Sequence, residues 1–272
     1  MSHWNEAPEP PWRLTAAGVL RALARGLPMA ALTFGALLLL LVVRLAEAPL
    51  FGRARPWTPW ITQLVCRTNL RILGLRWQMQ GRPMAQNGAV VANHSSWMDI
   101  FTLNAGQRIY FVAKSEVAGW PAIGWLARAT GTVFIARKGI EAKVQQALFE
   151  DRLRAGHPLL FFPEGTSTDA LRVLPFKSTL FQAFYTHGLD RVMHIQPVTV
   201  VYHAPEGEDP RFYGWWGQME FAPHLVKMLA APRHGRVEVI CHPPVPVDAF
   251  AGRKDLSQYC ERVIRAAHPL AR

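Results

Sequence analysis

His94 and Asp99 lie five positions apart in the segment NHSSWMD at 93–99. On a continuous helix that spacing turns the two side chains about 140° away from each other. They meet only if the backbone turns between them, as where a strand gives way to a helix. The flanks supply that context, with the apolar run GAVVA (88–92) leading in and DIFTLNAG (99–106) leading out. A carboxylate bonded to one imidazole nitrogen fixes the tautomer and leaves the other nitrogen as a general base. Spacing alone makes the pair close to coincidence, and a histidine capping a turn is the plain alternative.

Three further segments carry chemistry-capable residues. FFPEGTSTD (161–169) follows an apolar strand, and its Glu164-Gly165-Thr166-Ser167 reads as a tight polar turn. Glycine permits a close backbone approach to a ligand, and N–H groups and hydroxyls there suit a phosphate or glycerol oxygen. GTVFIARK (131–138) ends a strand on Arg137-Lys138; such an arginine either grips a phosphate bidentately or sits solvated at the strand end. HIQPVTVVY (194–202) holds Pro197 inside a strand pattern, which demotes it to an edge, a bulge or a special site. No GxSxG elbow and no HExxH pair occurs, so neither a serine acyl-enzyme nor that zinc chemistry is indicated. Cys66, Cys241 and Cys260 are widely spaced and odd in number. They suit a reducing compartment and offer no disulfide framework and no metal site, so they read as core residues.

The elements that must position these residues are an alternation of short apolar runs and helical stretches. Strands are expected at 89–92, 109–113, 132–136, 159–162, 195–202 and 237–241, rich in Val, Ile and Phe. Ile140, Val144, Ala147 and Leu148 keep helical spacing, and Gly156 is a helix stop. The pattern predicts an α/β domain over 81–272, a mixed sheet flanked by helices. Residues 1–80 read differently, as a tail and membrane-associating helices. The Pro-rich start (Pro8, Pro10, Pro11) reads as a loose tail. From Leu27 to Val43 no charge interrupts the apolar run, which Arg21, Arg25 and Arg44 flank. That length is at the lower limit for spanning a bilayer; a soluble core helix and a cleaved signal are the competing readings.

Between Arg53 and Arg82 arginines and tryptophans (Trp57, Trp60, Trp77) mix without one acidic residue, and the whole chain carries a formal net charge of +11. Ile61, Leu64, Val65 and Ile72 fall on one side of a helix with Arg67 and Arg71 beside them. That is the make-up of a helix in the headgroup layer. Basic aromatic stretches also bind nucleic acid, but this one adjoins an apolar run that water would penalise, so the membrane is favoured and no nucleic acid is expected. The loop DPRFYGWWGQMEF (209–221) either lines an apolar route or packs on the core.

Taken in order, these segments resemble the glycerolipid acyltransferase family that includes 1-acylglycerol-3-phosphate acyltransferases, over roughly Val90 to Tyr202. His94 and Asp99 match its His-x4-Asp block. Gly131, Phe134, Ile135 and Arg137 match the second block, Phe162 to Thr166 the third, and Ile195, Pro197 and Val198 the fourth. The resemblance implies that His94 is the base and Asp99 its orienter. It implies that Arg137, Glu164, Gly165 and Thr166 engage the acyl acceptor, and that a two-helix module sits in one membrane leaflet. It further implies an acyl thioester donor, on acyl-carrier protein or coenzyme A, with no metal and no bound cofactor. The expected site is the inner (cytoplasmic) membrane, with membrane lipids as partners and the catalytic domain facing the cytoplasm.

Many members carry an arginine directly after the Glu-Gly-Thr of the third block, where this chain has Ser167. Lys177 could compensate as a phosphate ligand. The resemblance implies 1-acylglycerol 3-phosphate as the acceptor, giving phosphatidate, and the Ser167 departure leaves room for a phosphate-free lyso-ornithine lipid as the alternative. A hydrolase would need a nucleophile or metal motif that the chain lacks. A non-catalytic membrane-surface binding protein would explain the arginines and tryptophans but not the ordered blocks.

Overall fold

A computed structural model describes residues 4–135 and 140–270. The apolar run lies inside one long helix, α1 (Ala16–Phe51), whose first turn is capped by the Thr15 side chain accepting from the Gly18 N–H. The helix is long and apolar enough to cross a membrane, and almost none of its apolar stretch is buried. Leu20, Leu27, Leu38, Val42 and Leu45 all point outward, a surface that water disfavours and lipid accepts. The flanking arginines hold the helix to the rest of the chain. Arg21 Nε donates to Ala230 O (2.8 Å), and Arg25 Nη1 donates to Leu229 O (3.0 Å) and Ala231 O (2.6 Å). These carbonyls end α6 (Phe221–Ala230), where the last turn leaves acceptors unpaired and favours a cation.

Helix α2 (Thr58–Leu73) runs back beside α1 and stops at Gly74, whose φ of 85° is left-handed. Val65, Cys66, Leu70 and Leu73 turn inward, so of the expected apolar face of Ile61, Leu64, Val65 and Ile72 only Val65 is buried. Leu64 does not join them: it is 63% exposed beside Trp60. The two helices are tied by Glu47, fully buried on α1, which accepts from the N–H groups of Trp57 (2.8 Å) and Thr58 (3.1 Å), from the Thr58 hydroxyl (2.8 Å) and from Arg44 (3.1 Å).

Among the described residues the sheet has eight strands: β1 (Arg76–Gln80), β2 (Gly88–Ala92), β3 (Tyr110–Lys114), β4 (Val133–Ile135), β5 (Leu159–Phe161), β6 (His194–His203), β7 (Arg236–Cys241) and β8 (Val245–Pro246). Their order is β1-β7-β6-β2-β5-β3-β4, with β8 beside β6. All pairs are parallel except β6 with β7 and β6 with β8, which makes the sheet mixed as expected. β2 is buried along its whole length, and a strand covered on both faces reads as an unbroken apolar run.

Helices flank both faces, and a short α4 (Ile123–Ala129) lies between β3 and β4 in the chain. α2 and α3 (Asp99–Gly106) pack on one, around Leu70, Leu103, Val200 and Val239. On the other, α5 (Ile140–Arg154) and α7 (Arg253–Ala267) cover Val91, Phe161 and Ile195. Gly156, with φ 75°, closes the end of α5, as expected of a helix stop.

Several expectations are corrected or narrowed. β1 was not foreseen, because RWQMQ lacks β-branched residues; its Trp77 and Met79 alternate inward on an edge strand. Trp77 therefore belongs to the sheet and not to an interfacial helix, and the sheet begins ahead of the division drawn at 80/81. Pro197 lies in a central strand, so of the edge, bulge or special site that it allowed, the last is the one found. Its carbonyl accepts from His242 N–H (3.0 Å), so its missing N–H faces the same side, in the gap between the β8 pairing at His194–Ile195 and the β7 pairing from Val198. No ladder bond is lost there. The N-terminal tail is also not loose. Ala7 O accepts from Trp216 Nε1 (3.1 Å), Glu9 pairs with Lys227 (2.9 Å), and Trp4 lies under the Arg172 guanidinium (4.8 Å).

Candidate active site

Where β2 ends, residues 93–98 turn the chain into α3, and Asp99 is the first residue of that helix. The turn brings the expected pair together: His94 Nδ1 lies 2.7 Å from Asp99 Oδ2. The same oxygen accepts the N–H groups of Ser95 (2.8 Å) and Ser96 (3.1 Å). Asp99 Oδ1 accepts the Tyr202 hydroxyl (2.8 Å), and Asp99 is wholly buried. Burial, and then the Asp99 charge, push the Tyr202 hydroxyl well above its ordinary range, so it stays a donor. A carboxylate so surrounded is acceptor only, which puts the proton on His94 Nδ1 and leaves Nε2 as an acceptor. His94 keeps 19% side-chain exposure, and its Nε2 is unbonded among the described residues.

The imidazole is fixed in plane as well as in tautomer. Phe162, directly after β5, stacks on it with centroids 4.0 Å apart and planes at 11°. β2 and β5 are neighbours in the sheet, so both residues emerge at the same carboxyl edge, where ligands bind in open α/β sheets. The His94 backbone is held by two distant groups: its N–H donates to Glu164 Oε1 (2.7 Å), and its carbonyl accepts Thr168 N–H (3.0 Å). Asn93, just before it, replaces a rung of the ladder to β6 by accepting from Val200 N–H (2.8 Å) and donating to Val200 O (2.9 Å). Trp97 is anchored through Nε1 to His224 Nδ1 (2.8 Å). Burial, with Lys227 adding to it, lowers His224 to about 3, so it remains a neutral acceptor.

Glu164 takes a different place from the one its motif suggested. It is 2% exposed, and its second oxygen accepts Leu174 N–H (2.7 Å). Both oxygens are occupied by backbone donors, so Glu164 braces His94 and the 165–174 loop beneath the opening. Burial pushes its carboxyl up to about 8, against the two N–H bonds that favour the ionised form.

Gly165 adopts φ 75°, and a Cβ added there would come within 2.9 Å of Lys177 Nζ. The Lys177 ammonium therefore lies over this turn, without a carboxylate partner among the described residues. Thr166 is exposed beside it and Ser167 is buried. Arg137 lies outside the described residues. Cys66, Cys241 and Cys260 are buried core residues, and burial pushes their thiols to about 12, 11 and 12, far from a reactive thiolate.

Tyr202, Asn93 and Thr168 were not singled out as site residues from sequence. Each bonds to a partner remote in the chain, and no local spacing signals it. The 209–221 loop is packed: Tyr213 and Trp216 are buried, and the Trp215 N–H bridges Ser95 O (3.0 Å) and Thr168 O (3.1 Å). Trp215 meets Trp120 edge to face at 6.5 Å, adding an apolar wall next to the His94 turn. The assembly places an imidazole of fixed tautomer, with its Nε2 open, at a sheet edge, and the Lys177 ammonium over the Gly165 turn.

The chain is similar to known proteins. Residues 77–202 match the family described as Acyltransferase. The chain is 63% identical over 262 residues to lyso-ornithine lipid O-acyltransferase of Rhodobacter capsulatus, covering 96% of this chain and 95% of that one. It is 37% identical over 134 residues to 1-acyl-sn-glycerol-3-phosphate acyltransferase of Neisseria gonorrhoeae, covering 47% of this chain and 50% of that one. The crystal structure of the 1-acyl-sn-glycerophosphate acyltransferase from Thermotoga maritima has the same fold, with a TM-score of 0.58 at 21% identity over 89% of this chain and 95% of that one.

Proposed function

The chain belongs to the acyltransferase family, and from that premise we propose that it transfers a fatty-acyl group to the free hydroxyl of a lyso-ornithine lipid. The observation that carries the choice of acceptor is the 63% identity, over 95% of its length, to a protein named for that reaction. The likeness to the Neisseria gonorrhoeae phosphate-acceptor enzyme covers only half of that protein. The favoured acceptor thus shifts from 1-acylglycerol 3-phosphate to the alternative raised by Ser167. Ornithine brings a carboxylate and an amine and no phosphate, so one ammonium suffices where a phosphate would call for more. Lys177 over Gly165 is the group assigned to that carboxylate, with Thr166 beside it.

In the proposed reaction His94 Nε2 takes the proton of the acceptor hydroxyl. The oxygen attacks the thioester carbonyl of the donor, on acyl-carrier protein or coenzyme A; the C–O bond forms, the C–S bond breaks, and the proton passes from His94 to the departing thiolate. Asp99 holds the Nδ1 proton throughout and stabilises the imidazolium. Helices α1 and α2 attach the enzyme to the membrane, with the sheet on the cytoplasmic side where thioester donors are made.

The test gives purified protein an acyl-carrier thioester with lyso-ornithine lipid and lysophosphatidate in competition. Acylation of lyso-ornithine lipid in excess is expected, and preference for lysophosphatidate sinks the assignment. Lys177→Ala should raise KM for the acceptor several-fold and leave the donor KM unchanged.

A further inference from the structure

Away from His94, a groove of about 530 Å³ opens between the end of α2, the start of β1 and the end of α3. Its walls include Arg67, Arg71, Arg76, Leu70, Leu75 and Trp77. Arg67 is pre-set, because its Nε donates to Ala105 O (2.7 Å) and leaves the rest of the guanidinium free. Trp77 is also fixed, through Nε1 to Thr102 O (2.9 Å). Among the described residues no carboxylate pairs with any of the three arginines, and no acidic residue lines the groove. Three unpaired guanidinia gathered in one concavity repel one another and attract an anion.

The face of α2 that borders the groove identifies the anion's carrier. Trp60, Leu64, Arg67 and Arg71 follow one another at spacings of four, three and four, which is a single stripe on a helix. Trp60 is 56% exposed and Leu64 63% exposed, and both arginines are exposed too. The surface thus runs from Trp60, over whose ring the Arg108 guanidinium lies at 3.9 Å, through exposed Leu64 to the two arginines, beside the exposed apolar side of α1. A lone phosphate ion has no use for the apolar half and a nucleic acid none for either helix, whereas a phospholipid joins acyl chains to a phosphate in that order.

We propose that this groove seats the phosphate of an anionic membrane phospholipid, which is neither the acyl donor nor the acceptor of the reaction. The guanidinia of Arg71 and Arg76 engage the phosphate oxygens, Arg67 closes the third side, and the glycerol and chains lie along Leu64 and Trp60. Asp99 begins α3 and the groove meets its other end at Ala105, about 9 Å along the axis. The lipid therefore docks clear of the His94 opening.

The experiment is flotation of the full chain with vesicles of phosphatidylcholine alone or with about a third phosphatidylglycerol, comparing wild type with the double variant Arg71→Gln/Arg76→Gln. Both should bind neutral vesicles equally through α1. On anionic vesicles the variant should lose about 5-fold in partitioning per arginine removed. Acyl transfer in detergent should be unchanged, which also reports correct folding. A second variant, Arg191→Gln/Arg262→Gln, removes the same charge from the opposite face of the sheet and should lose far less. Equal losses in the two variants would reduce the effect to net charge and overturn the proposal. So would competition by millimolar inorganic phosphate, which would make the site one for the free ion. A raised KM for the acyl-carrier thioester with unchanged vesicle binding would turn the groove into a carrier-protein dock and likewise overturn it.

Discussion

At the carboxyl edge of β2 and β5 the polar atoms of the site are bonded to one another; at the foot of α2 three guanidinia share a groove with no counter-charge. Around His94 the exceptions are the Ser95 and Ser96 hydroxyls, Trp215 Nε1 and His224 Nε2, buried without a partner among the described residues, and His94 Nε2, which faces the opening. Asp99 takes four donors, Glu164 two and Asn93 makes two bonds to one residue. A buried polar network of this kind costs little only when every member is satisfied, and then it holds one geometry. The groove is built the other way: its charges are left open and exposed, which water tolerates and a phosphate completes. The first region is finished without substrate and the second is finished by its ligand. Substitutions in the two should accordingly fail in different ways.

The sharpest contrast is at the base. His94→Ala should lower kcat by about 10³-fold, within the range general acid–base catalysis supplies, and leave thermal stability nearly unchanged because one side of the ring is open. Asp99→Asn should cost activity to a similar degree and stability as well, since an amide –NH2 would then oppose N–H donors that now meet a carboxylate. Steady-state acyl transfer together with thermal melts separates the two outcomes. A folded His94→Ala protein with near-normal turnover would remove the His94 mechanism altogether.

Tyr202→Phe tests whether the network beyond the pair matters. The change leaves Asp99 Oδ1 buried without its 2.8 Å donor. That should cost about 1–3 kcal/mol of stability and roughly 10-fold in kcat, with KM for both substrates unchanged because Tyr202 touches neither. A change confined to KM would instead place the hydroxyl at the substrate and break the picture of a self-contained network.

How much of this was legible beforehand depends on how local each cause is. The strand-turn-helix around His94 and Asp99 was readable because both sides of the turn are written in adjacent residues, GAVVA and DIFTLNAG. The alternation behind the mixed sheet was readable for the same reason. Tyr202 lies 103 positions from Asp99, and Asn93 lies 107 from Val200; pairings that distant follow only from sheet order. Glu164 was expected at the acceptor because the family resemblance implied it, and only the fold reveals that the backbone consumes both oxygens. Trp4 and Glu9 read as tail because prolines surround them, while their partners Arg172 and Lys227 sit at the far end of the chain. The groove was half visible: the arginines of α2 were plain, but Arg76 joins them only because Gly74 turns the chain from α2 into β1.

The smallest expected effect concerns the one member of the site network whose bonds do not fully offset its burial. Glu164 has a folded carboxyl raised to about 8, whereas an unfolded glutamate titrates near 4.5. The folded state therefore holds a proton that the unfolded state has lost between those values, and stability falls as pH rises across that window. Four buried histidines act in the opposite sense at lower pH. His157, His234 and His268 are lowered to about 4 and His224 to about 3 by burial, so they weaken the fold as pH drops below about 6.5 and contribute a flat term above it. From about pH 6.5 to 7.5 the Glu164 slope stands clear of them, at close to 1.4 kcal/mol per pH unit, or about 2–4 °C in Tm for a chain of this size. Glu164→Gln should lower Tm at pH 5.5, because an amide accepts through one oxygen only, and the gap to wild type should close as pH approaches 8. If the two melting curves stay parallel from pH 5.5 to 8, Glu164 is ionised in the folded protein. The network around His94 would then be as fully compensated at Glu164 as it is at Asp99.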